Sequence, residues 1–482
     1  MDQQPERSTI ASMSSLNTQS VASDQTLFVE QLPSHLRPEP VVGPVHGEAH
    51  RQRRQALAQA VAARSNGRPA IVLAFSGKEI LRNRDNPYAF RFNSDFFYLT
   101  GFPETDAWLV IRIDVHGEMT DRLYCLPRDP EREIWDGVRT GPEQAAERYL
   151  FDESLSLAEI DNDLPELLID RPTLVAPWAE SEAIESRLSG WLRQCRSKAR
   201  AGKKAPSELL SLGDLVARQR LLKDQAEIMT MRQAAAISAK AHCLAMQTTR
   251  PGLAEYNIEA VLLQAFRGQG AESVAYGSIV ASGPHSCILH HRAGHRVMRE
   301  GEMLLIDAGC ELHGYASDIT RSFPVSGRFS PEQKAVYEVV LAAQEAAKAA
   351  TVAGAAFTAP HEAAVRVLCE GLIHLRLIAS TTVEQAIETE AYKTYYMHRT
   401  GHWLGMDVHD VGDYSEPLAP GMVLTLEPGL YLRPSPSLPE AFWNIGIRIE
   451  DDALVTEQGC ELITRGVPVD PQAIEDLMAG RA

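Results

Sequence analysis

No stretch of the 482-residue sequence approaches the ~18–20 consecutive apolar residues that a membrane helix needs, so no membrane-spanning role is expected. Positive charge is also scarce. Forty-seven Lys and Arg stand against 64 Asp and Glu, a formal net charge of −17, and such a chain repels polyanions, so neither nucleic acid nor an anionic membrane is expected as a partner. The first forty residues lack the basic start and apolar segment of a signal peptide. The seven cysteines are scattered, odd in number and without a C-x-x-C pair, which suits reduced thiols and a cytoplasmic setting better than a disulfide framework or zinc ribbon. Three further motifs are missing: G-x-S-x-G, the phosphate-binding G-x-x-x-x-G-K-[ST], and the dinucleotide fingerprint G-x-G-x-x-G. The glycine windows at Gly137 and Gly401 hold Arg139 and Trp403 where a nucleophilic serine would stand. Serine-elbow hydrolysis and both nucleotide-binding modes are therefore excluded.

What is present is a chain with 44 % hydrophobic residues, enough for a large core split over two or three domains. Residues 1–42, rich in Ser, Gln, Thr and Pro without sustained periodicity, are expected to be a disordered extension. Residues 43–205 read as an α/β domain. The spacing predicts a helix over 51–63, buried strands at 70–75, 108–113 and 123–126, a largely helical run over 155–187, and a strand at 173–176 within it. The basic, apolar-poor segment 196–206 marks the expected junction, and residues 206–482 form the second domain. There, helices are expected over 225–249, ended by Arg250-Pro251-Gly252, over 255–268, and over 331–350, opened by the capping pattern Ser330-Pro331-Glu332-Gln333.

The chemistry concentrates in this second domain. Asp307 ends the apolar run Met303-Leu-Leu-Ile-Asp307, and Asp318 follows eleven residues later with turn material between. In a hairpin with a two-residue loop, positions an odd number apart share a face. Glu427 and Glu450 repeat the arrangement 23 residues apart. Two carboxylates ~4 Å apart repel by about 4 kcal/mol at an effective dielectric of 20, so four together need cations or protons, and two divalent ions would balance them. The acids could instead be solvated or paired with Arg321 and Arg448. Histidines cluster at His398, His402 and His409, with His290 and His291 upstream. The spacing His398-x-x-x-His402 mimics a zinc helix, but Arg399 stands where H-E-x-x-H requires Glu. His46, His242, His361 and His374 read as ordinary core or surface residues.

The order Asp307, Asp318, His402, Glu427, Glu450 resembles the five metal ligands of the creatinase/prolidase/methionine aminopeptidase superfamily, whose catalytic domain is the α+β pita-bread fold. The contexts 306–309, 398–405, 407–410, 426–431 and 446–452 are similar to aminopeptidase P (Xaa-Pro aminopeptidase) in particular, as is Arg91-Phe-Asn-Ser-Asp-Phe-Phe-Tyr-Leu-Thr-Gly-Phe102 in the first domain. The resemblance spans about residue 50 to the end. It implies two divalent ions, one held by Asp307, the other by His402 and Glu427, with Asp318 and Glu450 bridging. One imidazole among carboxylates favours Mn2+, with Zn2+, Co2+ or Fe2+ also able to bind. It implies Glu427 as proton shuttle, His290, His398 and His409 binding substrate and stabilising the tetrahedral intermediate, and Arg448 and Tyr431 near the proline side. Trp135 matches a family tryptophan that reaches across a subunit contact, so a homo-oligomer, dimer or tetramer, is expected, unless that tryptophan is a core residue. The implied reaction is cleavage between an N-terminal residue and a penultimate proline. The alternatives are a prolidase restricted to Xaa-Pro dipeptides, a methionine aminopeptidase, which generally lacks the long first domain, and a non-catalytic peptide-binding module on the same scaffold, which would lack ligands.

Overall fold

The computed structural model describes residues 47–178, 180–379 and 382–481. The expected extension 1–42 lies outside the described residues.

The first domain is built on a six-stranded mixed sheet. Its spatial order is Glu153–Ser156, Met119–Cys125, Trp108–Ile113, Ala70–Phe75, Thr173–Ala176 and Glu208–Ser211. The central strand Ala70–Phe75 runs antiparallel to Trp108–Ile113 and parallel to Thr173–Ala176. Both faces are covered. Ile71 and Leu73 pack with Trp108, Leu188 and Trp191 on one side, while Val72 and Ala74 pack with Leu57, Phe96 and Leu99 on the other, as a period of two requires. The first helix, Gly47–Arg64, is longer than the sequence suggested. The run expected to be helical from Leu155 begins instead as the edge strand Glu153–Ser156, and helix resumes at Ile160–Leu167 and Glu182–Ser197. Beyond the basic segment 196–206, the strand Glu208–Ser211 joins this same sheet by pairing parallel to Thr173–Ala176.

In the second domain the helices Gln225–Thr248, Glu255–Gly268 and Pro331–Ala350 fall where periodicity and caps placed them. Ser330 and Gln333 close a capping box with Pro331 at the first turn, satisfying amides that would otherwise lack partners. These helices and Ala359–His374 enclose short antiparallel sheets. Ile279–Ser282, Met303–Asp307 and Thr320–Pro324 form one of them, Val423–Leu426, Asp451–Thr456 and Gly459–Leu462 another, and Gly429–Leu432 pairs with Ile445–Arg448. No helix among the described residues is long and apolar enough to cross a membrane.

The two domains share a seam. Phe96 and Leu99 of the first belong to one apolar cluster with Tyr315, Met406 and Val423 of the second. Arg91 donates to Glu311 at 2.8 Å and to the Met406 carbonyl at 2.7 Å, and Arg220 binds Asp95 at 2.8 Å as well as Asp407 and Asp410.

Candidate active site

Two strand registers create the site. His313 and Gly314 both have positive φ, 50° and 79°, and form the two-residue loop of a hairpin in which Leu312 faces Tyr315. The same register continues to Asp307 opposite Thr320, which makes Asp307 and Asp318 diagonal neighbours on one face. The Tyr276 hydroxyl lies within hydrogen-bonding distance of Oδ1 of both. In the second pair, Leu426 faces Asp451 and Gly429 faces Arg448, so Glu427 and Glu450 stand directly opposite each other. Neither glutamate amide joins that ladder. Glu427 N–H donates to the Thr400 carbonyl at 2.8 Å and Glu450 N–H to the Thr320 carbonyl at 3.1 Å. Those two diverted bonds stitch the His402 segment and the Asp318 segment to the glutamate pair. Glycine makes the approach possible: a Cβ on Gly401 would lie 2.0 Å from the Thr425 carbonyl oxygen.

Asp307, Asp318, His402, Glu427 and Glu450 thus line one cavity of about 1100 Å³, together with His290, His398, His409 and Arg448. His402 Nδ1 donates to the Trp403 carbonyl at 2.9 Å, leaving Nε2 directed at Asp318 Oδ2, 3.6 Å away, and Glu427 Oε1, 3.9 Å away. A ring fixed in this way offers its second nitrogen as a metal ligand. His290 and His409 are exposed on the cavity wall, and the His409 ring sits 4.2 Å from that of His402. Tyr431 is fully buried and does not line the cavity. Its hydroxyl accepts from Arg448 at 2.9 Å and donates to His398 Nε2 at 2.8 Å, since His398 Nδ1 donates to the Arg399 carbonyl. Arg448 also grips Asp307. Trp135 lies apart on the helix Pro130–Asp136, 82 % exposed, and so is not a core residue. Arg321, the other suggested partner for the acids, binds Asp451 instead.

The electrostatics fit cations. Burial, then the charge of Asp307, raises the Asp318 carboxyl above its ordinary range, and burial with Asp318, Glu427 and Asp307 pushes Glu450 well above its own. Burial raises Glu427 to about 7, although His402 and Arg448 oppose the shift. For His402, burial favours the neutral ring, but the contact with Asp318 and the charge of Glu427 outweigh it and lift the pKa to about 9. His398 falls to about 3 through burial and the Arg448 charge, so it is neutral. Four buried acids therefore share Arg448 and one imidazolium as compensation, and cations entering this donor set would replace those protons.

Two residues of this constellation carried no sequence signal. Tyr276 bridges the aspartates, and Thr320 donates to Glu450 at 2.6 Å while accepting from Arg448 Nε at 3.1 Å. Tyr276 reaches its partners across 31 and 42 residues of chain, so no local pattern betrays it.

The two-domain fold and the acid–histidine centre define a metallopeptidase. The family model "Metallopeptidase family M24" matches residues 229–457 and "Aminopeptidase P, N-terminal domain" matches residues 50–175. The Xaa-Pro aminopeptidase of Escherichia coli (strain K12) is 38 % identical over 433 residues, covering 89 % of this chain and 96 % of that protein. Human Xaa-Pro aminopeptidase 3 is 32 % identical, covering 92 % and 88 %. The solved structure of Pseudomonas aeruginosa aminopeptidase PepP is 45 % identical with a TM-score of 0.86, covering 91 % of this chain and 99 % of that one. Zinc-substituted Escherichia coli aminopeptidase P in complex with product is 37 % identical with a TM-score of 0.87, covering 91 % and 100 %. The chain belongs to the Xaa-Pro aminopeptidase, or aminopeptidase P, family, with its N-terminal domain and its pita-bread catalytic domain. That is the family and the fold the sequence motifs implied.

Proposed function

We propose that this chain releases the N-terminal residue from peptides whose second residue is proline, using two divalent metal ions. The observation that carries this reading is the convergence of Asp307, Asp318, His402, Glu427 and Glu450 on one cavity. Asp307 would hold one ion, His402 and Glu427 the other, and Asp318 and Glu450 both. Four carboxylates and one imidazole form a hard donor set, which favours Mn2+ over thiolate-seeking metals. When bound, such ions polarise a carbonyl and lower the pKa of water toward about 7.

The protein's own groups supply the rest. Glu427 accepts a proton from the attacking water and returns it to the departing proline nitrogen, a role worth roughly 10²–10⁴ in rate. The chain Arg448 to Tyr431 to His398 holds a neutral imidazole at the cavity with its Nδ1–H 3.8 Å from Glu427 Oε2. From there His398, on turning its Nδ1–H from the Arg399 carbonyl to the substrate, binds the peptide with His290 and His409 and stabilises the tetrahedral intermediate, and Arg448 and Tyr431 support the proline side. Proline lacks the amide N–H that many peptidases engage, and this donor set makes no use of one.

The exposed apolar side chains Ile134, Trp135 and Val138, 77–82 % accessible, support a homo-oligomer in which this patch meets another subunit. The seven unpaired cysteines suit a cytoplasmic setting.

Kinetics on a tripeptide Xaa-Pro-Yaa and its Xaa-Pro dipeptide, with the metal-loaded protein, test the proposal. Prompt cleavage of the tripeptide is expected. Turnover of the dipeptide alone would make the chain a prolidase and overturn the assignment.

A further inference from the structure

Outside the catalytic cavity, a second group of metal-ligating side chains converges. Glu255 opens the helix Glu255–Gly268 and is fully buried. His285 Nδ1 lies 2.9 Å from its Oε1 and His291 Nε2 lies 2.8 Å from its Oε2. The two rings sit 4.1 Å apart at 33°, and ligand atoms of all three residues fall within 4.8 Å of one another. None of the three lines the catalytic cavity. We infer that Glu255, His285 and His291 form a separate site for one divalent cation of the zinc class.

Glu255 cannot accept from both imidazoles at once. Its oxygens already accept from Ser282 N–H and Ser282 Oγ, each at 2.9 Å, and from Gly294 N–H at 3.2 Å. A carboxylate offers about four acceptor positions, so five donors exceed them. The same three bonds fix the carboxylate's orientation, as outer-shell partners of metal ligands do. Two imidazoles and a carboxylate are a recurrent zinc set with an open fourth position. His285, 33 % exposed, leaves room there for water. Zinc–nitrogen and zinc–oxygen bonds of ~2.0–2.2 Å at tetrahedral angles separate neighbouring donors by about 3.3 Å, so the 2.8 Å gap between Glu255 Oε2 and His291 Nε2 need open by only about half an ångström, and one donor atom of each of the three residues already falls within 4.8 Å of the others. Neutral rings accommodate this by moving their N–H to the other nitrogen. A cation here would pin the segment that carries His290 and Arg292, both on the catalytic cavity wall.

The site stands independently of the proposed catalytic centre, and zinc content separates the two. Wild-type protein is loaded with Zn2+, passed through gel filtration in metal-free buffer, and analysed for zinc beside His285→Ala and Glu255→Gln, with circular dichroism as the check on folding. Each variant should retain one ion per chain fewer than wild type. Asp318→Ala/Glu450→Ala, which removes two catalytic carboxylates and spares this cluster, should still hold one. Equal zinc in wild type and a folded His285→Ala or Glu255→Gln protein overturns the inference. So does a zinc-free Asp318→Ala/Glu450→Ala protein, the decisive case if neither cluster variant folds. Should the catalytic reading alone fail, the one-ion deficit at His285 persists.

Discussion

Glu427→Gln should make the metal-free protein more stable at neutral pH and the metal-loaded protein less so. Burial holds the Glu427 carboxyl at about 7 against an ordinary 4.5. Below pH 4.5 the group is protonated in both folded and unfolded chains and costs nothing. As pH rises toward 7 the unfolded chain sheds the proton while the folded chain keeps it, so folding loses stability, and the loss is complete above 7. At 1.36 kcal/mol per pKa unit the full penalty is about 3 kcal/mol, of which about 1 is present at pH 5. Glutamine escapes it. Thermal melts of chelator-dialysed proteins should therefore show the variant gaining about 2 kcal/mol on wild type between pH 5 and pH 8, roughly 5 °C in the transition of the second domain. Saturating Mn2+ should reverse the order. Wild type gains about 4.1 kcal/mol at a thousand times Kd, more than the penalty of about 3 kcal/mol, and the variant, short of an anionic ligand, gains little. A Glu427→Gln protein destabilised equally at both pH values without metal would refute the claim that these carboxylates are strained by burial and mutual repulsion.

Asp318→Ala should fold, by circular dichroism, yet lose the metal of the catalytic cavity and at least about 10³ in turnover, since metal assistance supplies several kcal/mol. Two ions per chain with normal turnover in that variant would refute its place in the centre. Tyr431→Phe removes the hydroxyl that joins Arg448 to His398. A buried hydrogen-bond loss of about 1–3 kcal/mol predicts a fall in kcat of roughly 10–100-fold with KM little changed, and unchanged kcat would contradict the positioning role. Arg220→Ala leaves Asp95 buried without its partner and Asp410 with Lys223 alone. Urea titration should register a loss of about 3–5 kcal/mol, and a midpoint equal to wild type would show the network to be dispensable.

The carboxylate pairs were legible in the sequence because a strand's parity survives any correct register. An odd separation closed by a tight turn leaves Asp307 and Asp318 on one face wherever the hairpin sits, whereas for Glu427 and Glu450 the long connection 433–444 leaves the parity to the strand register, which sets them opposite each other. The helix Pro331–Ala350 announced itself through its cap at Ser330, whereas the capping box at Asp224 came to light only in the structure. Less legible was anything decided by distant packing. Glu208–Ser211 follows a basic linker and is a strand only because Thr173–Ala176 offers it an open edge. Leu155 begins a helix-like pattern but pairs with Tyr124 across the sheet. Glu255, His285 and His291 are drawn together over 36 residues, so a capping acid and two loop histidines looked unrelated until the fold juxtaposed them.

Arg91 has a consequence for how such enzymes diversify. It stands on the cavity wall while its guanidinium fastens to Glu311 and to the Met406 carbonyl. The wall of the catalytic cavity is thus co-owned by both halves of the chain. Grafting a foreign front half onto this catalytic half would redraw which peptides are admitted while leaving the hydrolytic step untouched, so selection can retune diet without touching the blade.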